Sequence, residues 1–447
     1  MKLKFADGAD GLNRFLVLGL LILAMFIPLA FVDGVTEDRQ RYFEQTMADV
    51  ARAWGGEQTL NGPYLIVPEN VLVSDTEEEG GEQKVQQVGR VVVPAELDLE
   101  VEVVHQMRHR ALYEVPVYTA VLKVRGVFPA LDRQIGITGH NRLIPAAARV
   151  ALGISHTRAI ANVSELTFAD QSLEFESGSS AHWLGSGIHA LPEGYDGSQP
   201  QPFQFEIELK GTGSLGLTPV GGTSSIAMNA TWPHPSFDGQ YLPESYHVRS
   251  DGFSADWTIS QLARDLPDSW LVVDRVTPAD DLLATVRLFQ PVTGYKVVDR
   301  AIKYGVLFIA LTFITFICFE LTLGFRIHPV QYGVVGLALV LFYLTLLSLS
   351  EHLPFGAAYG LATALLTGMI AAYVRSLSGS VWLMAYTAAV IGGLYGVLFV
   401  LLKLETFALL VGTAVLLIAL GGLMFATRAL TYAPEPELAA GSVGANG

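Results

Sequence analysis

From Tyr304 to Ala426 the chain is almost unbroken apolar sequence, cut by short polar breaks into five runs. These are Tyr304–Leu323, Val330–Leu349, Phe355–Val374, Val381–Leu402 and Phe407–Ala426. Each holds about 20 residues, the length a helix needs to cross the hydrocarbon of a bilayer. No water reaches backbone amides there, so the helix, which satisfies its own amides, is the structure these runs predict. A sixth run, Phe15–Val32, lies near the start. Its exit, Ile27-Pro28-Leu29-Ala30-Phe31-Val32, lacks the small-x-small pattern of a cleaved signal peptide, so it predicts a retained anchor helix. The breaks at 324–329, 350–354, 375–380 and 403–406 are too short for anything but antiparallel neighbours.

Between the first run and the rest the pattern changes twice. In Thr36–Trp54, Phe43, Met47, Val50 and Trp54 recur at helical spacing, with Thr36 as a cap and Gly55-Gly56 as the stop. This predicts an amphipathic helix, packed on the adjoining domain rather than lying on lipid, because its polar face mixes both charges. From Leu60 to about Phe289 the period becomes two. Phe203-Gln204-Phe205-Glu206-Ile207-Glu208-Leu209 and Leu99-Glu100-Val101-Glu102-Val103 alternate strictly, and Tyr118, Ala120, Leu122 and Val124 line one side of another strand. Thr285–Leu288 reads as a late strand, Asp75–Glu82 as an acidic loop, and Ile259–Leu266 as a short helix. A soft boundary falls near Gly194–Pro202. The fold class is therefore a membrane α-helical bundle of six transmembrane helices plus a large, mostly antiparallel β domain over 33–303. Residues 1–14 and a Gly/Ala-rich tail, 427–447, flank it.

Charge adds an orientation. Between Asp33 and Val298 stand 35 acidic and 19 basic residues, so this stretch alone accounts for the acidic balance of the chain, −15 overall. Such a segment does not bind nucleic acid or anionic headgroups through bulk electrostatics. With the N-terminus inside, the cytoplasmic flanks hold Lys2, Lys4, Arg14, Arg326, Arg375 and Arg428, and the outer flanks only Arg300, Lys303 and Lys403. The positive-inside rule then places both termini in the cytoplasm and the β domain outside, in the periplasm of a bacterial inner membrane. The one cysteine, Cys318, excludes an intrachain disulfide.

Motifs offer little chemistry. Gly211-Thr-Gly213-Ser-Leu-Gly216 matches the dinucleotide fingerprint, but it follows a strand and precedes no helix, so it reads as a β-turn. Eight histidines (His105, His109, His140, His156, His182, His189, His234, His247) are scattered through the β domain without a ligand spacing, and Arg108 and Arg110 beside His109 disfavour a metal. No G-x-S-x-G or S-x-x-K serine-hydrolase signature is present. No catalytic residue, cofactor or metal site is expected. Two polar groups at the bundle stand out. Glu320 lies near the inner end of its run, with Arg326, His328 and Gln331 following. A carboxylate in a span is costly and invites a proton or ion role, whereas pairing of Glu320 with Arg326 is the plain structural reading. At the outer mouth, Glu351 and His352 share an aqueous layer with Arg300 and Lys303, and a Glu351 pair there would tie bundle to domain. The small residues of 356–372 and Gly392, Gly393 and Gly396 allow close helix contact.

Three stretches carry a family likeness: Ala51–Pro68, Thr231–Pro243 and, above all, Glu320–Phe355. They resemble the CreD family of bacterial inner membrane proteins. The resemblance implies a role in envelope integrity and stress tolerance and brings no catalytic residues with it. The expectation is thus a non-enzymatic protein embedded in the lipid bilayer that acts through an envelope protein or other envelope component. The alternative is a transporter or lipid-handling protein that uses the helical bundle.

Overall fold

The computed structural model describes residues 16–17, 19–74, 83–110, 113–131, 142–264, 266–273, 282–288, 294–323, 327–404 and 408–427. The acidic loop Asp75–Glu82, His140, Arg326 and nearly all of the tail lie outside them. Two compact units emerge: residues 1–42 with 292–447, and residues 43–291.

In the first unit the apolar runs are helices. The helix α1 (Phe26–Trp54) continues helical turns from Gly19, and Gly19–Trp54 as a whole is long and apolar enough to cross a membrane. A short helix, α2 (Gln261–Arg264), belongs to the second unit. After it come α3 (Gly294–Leu323), α4 (Pro329–Ser350), α5 (Phe355–Ser378) and α6 (Val381–Lys403), four further helices of spanning length. Five helices thus qualify as spans among the described residues, and a sixth apolar helix, α7 (Ala408–Thr427), comes last. The close contacts are made by glycines: a Cβ on Gly336 would lie 2.8 Å from Met25 Sδ, and one on Gly305 3.1 Å from Leu29. So α1 packs at small positions of α3 and α4, as helices do where lipid offers no hydrophobic drive to association. By contrast, nothing among the described residues lies within 4 Å of a Cβ at Gly356, Gly360, Gly368, Gly392, Gly393 or Gly396. On α5 the small residues that are buried are Ala358, Ala362 and Ala371, while these glycines of α5 and α6 are not close-contact positions among the described residues.

The second unit is a two-sheet β structure. Its strands begin with β1 (Gln58–Ser74), β2 (Gln83–Val92), β3 (Glu96–Arg110), β4 (Tyr113–Phe128) and β5 (Arg142–Leu143). Next come β6 (Arg149–Ile154), β7 (Ile160–Val163), β8 (Leu166–Phe168), β9 (Gln171–Leu173) and β10 (Glu176–Ser177). Then follow β11 (Gly187–Ala190), β12 (Gln201–Gly211), β13 (Ser214–Leu217), β14 (Thr223–Ala230) and β15 (Pro235–Gly239). The last are β16 (Ser245–Arg249), β17 (Gly252–Ser260), β18 (Ser269–Leu271) and β19 (Ala284–Leu288). One sheet has the order β10-β11-β6-β1-β13-β19-β15, with β2, β5 and β18 attached beside that path. The other runs β16-β17-β14-β3-β4-β12-β8-β9, with β7 also on β12. Pairing is antiparallel except for β1 with β13 and β3 with β14.

The alternation seen in sequence is the alternation of faces. Leu97, Leu99, Val101 and Val103 of β3 point into one core with Leu122 and Val124 of β4 and Phe205, Ile207 and Leu209 of β12. Asp98, Glu100 and Glu102 point out beside Lys123 and Arg125 of β4, and Arg125 pairs with Glu100. Period two places every second residue on one face, so each strand is half core and half surface.

The C-terminal half of α1 covers the outer face of β4. Phe43 meets Tyr113 edge to face at 5.2 Å, and Trp54 Nε1 donates to the Tyr118 carbonyl at 3.2 Å. Val115 and Val117 are fully buried beneath it. The helix stops at Gly55 and Gly56, whose amides both bond to the Ala51 carbonyl. Both have positive φ, +141° and +69°, which an L side chain resists.

Candidate functional sites in the two units

The sequence-derived candidates in the helical unit resolve into local structure. His328 caps α4: its Nδ1 accepts from the Val330 amide at 3.3 Å, and the Gln331 side chain accepts from the His328 amide at 3.0 Å. With Pro329 in the first turn, this reciprocal pair satisfies orphan donors at a helix start. Glu320 lies in the last turn of α3, where only the backbone is described, so the expected pairing of Glu320 with Arg326 lies outside the described residues. A small cavity between α3 and α6, lined by Thr312, Thr315, Phe316, Thr387 and Ile391, involves none of these candidates.

At the mouth, Glu351 closes the C-terminal end of α4 and takes two partners. Tyr295 of α3 donates its hydroxyl to Oε1 at 3.2 Å, and Arg39 Nε of α1 stands 3.8 Å from the same oxygen. Lys303 turns instead to Asp299, one helical turn earlier, at 2.8 Å, and His352 is exposed. Glu351 therefore joins the helix that leaves this unit, α1, to the one that re-enters it, α3. The side chain is largely buried, 14% exposed, so its carboxylate needs partners, and Tyr295 satisfies one of its lone pairs.

In the β unit one sheet edge is β16. Among the described residues it pairs only with β17, so its other edge presents unpaired backbone groups. Tyr246 stands opposite Ala255 and Val248 opposite Phe253, both of which face the core. Directly paired residues share a face, so Tyr246 and Val248 are core-facing positions. Yet they are 58% and 48% exposed. The reason is that the facing edge strand, β15, is only five residues long and offers Phe237, which touches Tyr246 at 5.1 Å and Phe253 at 5.7 Å. The stretch Thr231–Pro243 forms this junction, and Trp232 is anchored by the His234 carbonyl at 2.9 Å. Nothing in the alternation of β16 marks it as an uncovered edge; that depends on the length of a strand in the other sheet.

Deeper in the unit, three buried polar groups went unsignalled. Glu69, 1% exposed, pairs with Arg90 at 2.5 Å. Arg264, fully buried, donates to the Val220 carbonyl and to Asp268 at 2.6 Å, and burial holds its guanidinium below the usual arginine range despite Asp268. Tyr118 donates to the Ser214 carbonyl at 2.7 Å, and burial pushes its phenol far up. That bond explains the glycine motif. A Cβ on Gly211 would lie 2.3 Å from the Tyr118 hydroxyl, and Gly213 has φ +75°, so the run is the crossing from β12 to β13. The described histidines are dispersed: His105 on Thr231, His109 on Glu114 and His189 on the Gly178 carbonyl. Among the described residues no group of three His, Cys, Asp or Glu could hold a metal ion.

Comparison with known proteins places the chain. The family described as Inner membrane protein CreD matches residues 11–433. Inner membrane protein CreD of Escherichia coli (strain K12) is 31% identical over 413 residues, covering 92% of this chain and 91% of that relative. Among solved structures, an M1 zinc metallopeptidase from Deinococcus radiodurans aligns over 43% of this chain and 42% of its own, at 11% identity and TM-score 0.23. Native yeast LTA4 hydrolase aligns over 49% and 34%, at 10% identity and TM-score 0.20. Likenesses this weak carry no argument about fold or activity.

Proposed function

This chain belongs to the CreD family of inner membrane proteins, and we propose that within that setting it is a non-enzymatic envelope-integrity factor. In this reading both termini are cytoplasmic, the β unit is periplasmic, and the chain serves tolerance of envelope stress. It works by holding an envelope protein through strand addition at β16. The observation that carries the proposal is the exposed pair of core-facing side chains on a free sheet edge, Tyr246 and Val248. An extended segment with apolar residues at alternate positions would complete the backbone ladder and cover both side chains at once. Exposed apolar residues on an edge strand invite self-association, so their presence favours a surface with a use.

The test is complementation. In a strain lacking the protein and sensitised to envelope stress, the wild-type chain restores tolerance. Tyr246→Lys with Val248→Lys accumulates in the membrane but fails to restore it, while Ser245→Lys, on the polar face of the same strand, restores it. Full rescue by the double lysine variant overturns the proposal.

A further inference from the structure

Charge is segregated along β3. Its outward positions read Asp98, Glu100 and Glu102 at one end, and Arg108 and Arg110 at the other. At about 3.3 Å per residue, the two ends lie roughly 40 Å apart. The acidic end is reinforced by Glu206 and Glu208 of β12, although Arg125 offsets Glu100. The basic end gains Lys210: its ammonium lies 5.2 Å, and the Arg108 guanidinium 4.5 Å, from the ring centre of Trp54. The carboxylates of this end have partners of their own, Asp49 in Arg52 and Glu114 in His109. Among the described residues no carboxylate pairs with Arg108 or Arg110, and both are exposed. Beyond Val103 both faces of β3 are largely open, with Val104 48% and Met107 39% exposed. The hairpin thus carries two exposed guanidinium groups without a carboxylate partner among the described residues, Arg108 resting on Trp54 and donating to Gln106 Oε1 at 3.4 Å, together with partly exposed apolar side chains.

This basic end is also where the chain enters the unit. Arg110 pairs with Tyr113, and Tyr113 packs on Phe43, which follows the apolar run ending at Val32 by eleven residues in the sequence. We propose that the basic end of the β3–β4 hairpin is a docking surface for anionic lipid headgroups. Arg108 and Arg110 are the phosphate contacts. The net acidity of the domain, which argues against lipid binding when averaged, here sets direction: an anionic surface attracts the basic end and repels the far one. Near such a surface two arginines bias the docked state by about thirty-fold. That bias fades as salt shortens the screening length.

The experiment uses the full chain in nanodiscs, either of phosphatidylcholine alone or of phosphatidylcholine with phosphatidylglycerol. Amide hydrogen exchange is followed in peptides spanning 104–118. Exchange there is expected to slow by at least ten-fold in the anionic discs at low salt, and the effect to vanish at high salt. Arg110→Ala, which removes no polar partner from the fold, should cut the protection several-fold, and Arg110→Glu should abolish it. Equal exchange in the two lipids overturns the proposal, as does protection that survives Arg110→Glu. Protection produced in zwitterionic discs by inorganic phosphate alone would also overturn it, because the site would then be one for free anion.

Discussion

Glu351 allows two kinds of polar contact to be weighed against each other on one oxygen. The Tyr295 hydroxyl is 3.2 Å away in a largely buried setting, whereas Arg39 is 3.8 Å away with its side chain 50% exposed. A hydrogen bond to a charged acceptor contributes about 1.5–3 kcal/mol, and the length of this one argues for the lower end. A half-exposed ion pair beyond hydrogen-bond distance contributes roughly 0.2–1 kcal/mol. Glu351→Ala should therefore cost about 2 kcal/mol, most of it from Tyr295. In double-mutant cycles, the coupling of Glu351→Ala with Tyr295→Phe should be about 1.5 kcal/mol, and that with Arg39→Met about 0.5 kcal/mol or less. Only the Arg39 coupling should disappear in high salt. Opening of the helical unit can be followed by amide hydrogen exchange in α4, whose C-terminal end Glu351 closes. A larger coupling to Arg39 than to Tyr295, or a Tyr295 coupling erased by salt, would refute the ranking of hydrogen bond over charge.

Two further outcomes concern the β unit. Glu69→Ala leaves Arg90 charged and without its buried partner, so it should destabilise the unit by about 3–5 kcal/mol, while the paired change Glu69→Leu with Arg90→Leu should come close to neutral; thermal unfolding of the two variants separates them. Tyr118→Phe should cost about 1–3 kcal/mol by stranding the Ser214 carbonyl. It should also change the alkaline limb of stability. The Tyr118 phenol, raised in the fold above its ordinary value of 10.0, contributes stability that is complete below that pH and is lost as pH rises above it. The wild type should lose about 1.4 kcal/mol for each pH unit beyond that point on account of this group alone. Denaturant midpoints measured across pH 9 to about 12 should show a shallower fall for Tyr118→Phe, and parallel curves would rule the account out.

The spans and the inward faces of the strands are legible in the sequence because each answers to a uniform demand. Lipid requires every residue of a span to be apolar, and a sandwich requires every second residue of a strand to be so. Thus 355–374 and 381–402 reappear within α5 and α6, and Phe203, Phe205, Ile207 and Leu209 appear as the core face of β12. What pairs with what is not legible. The parallel pairing of β1 with β13 joins segments about 150 residues apart, and no local pattern encodes it. The partners of Glu351 are hidden for the same reason. Arg39 stands in a mixed-charge stretch of α1, and Tyr295 precedes the apolar run that the sequence marks as beginning at Tyr304, whereas α3 already begins at Gly294.

Glycine shows the limit most sharply. On sequence, the small residues of 356–372, Gly356, Gly360 and Gly368 among them, allow close helix contact. In the structure a Cβ added at Gly336 would lie 2.8 Å from Met25 Sδ and 3.0 Å from the Phe313 ring, while one at Gly356, Gly360 or Gly368 would meet nothing within 4 Å among the described residues. A small residue only permits close approach. Whether approach occurs depends on a partner of matching shape, here the sulfur of Met25 and the ring of Phe313. The spaced glycines face away from the helices that α5 packs on, since Ala358, Ala362, Leu366 and Ile370 form its buried side. Spacing therefore identifies a stripe, and only the positions of the large residues on either side of it tell whether that stripe is turned in or out.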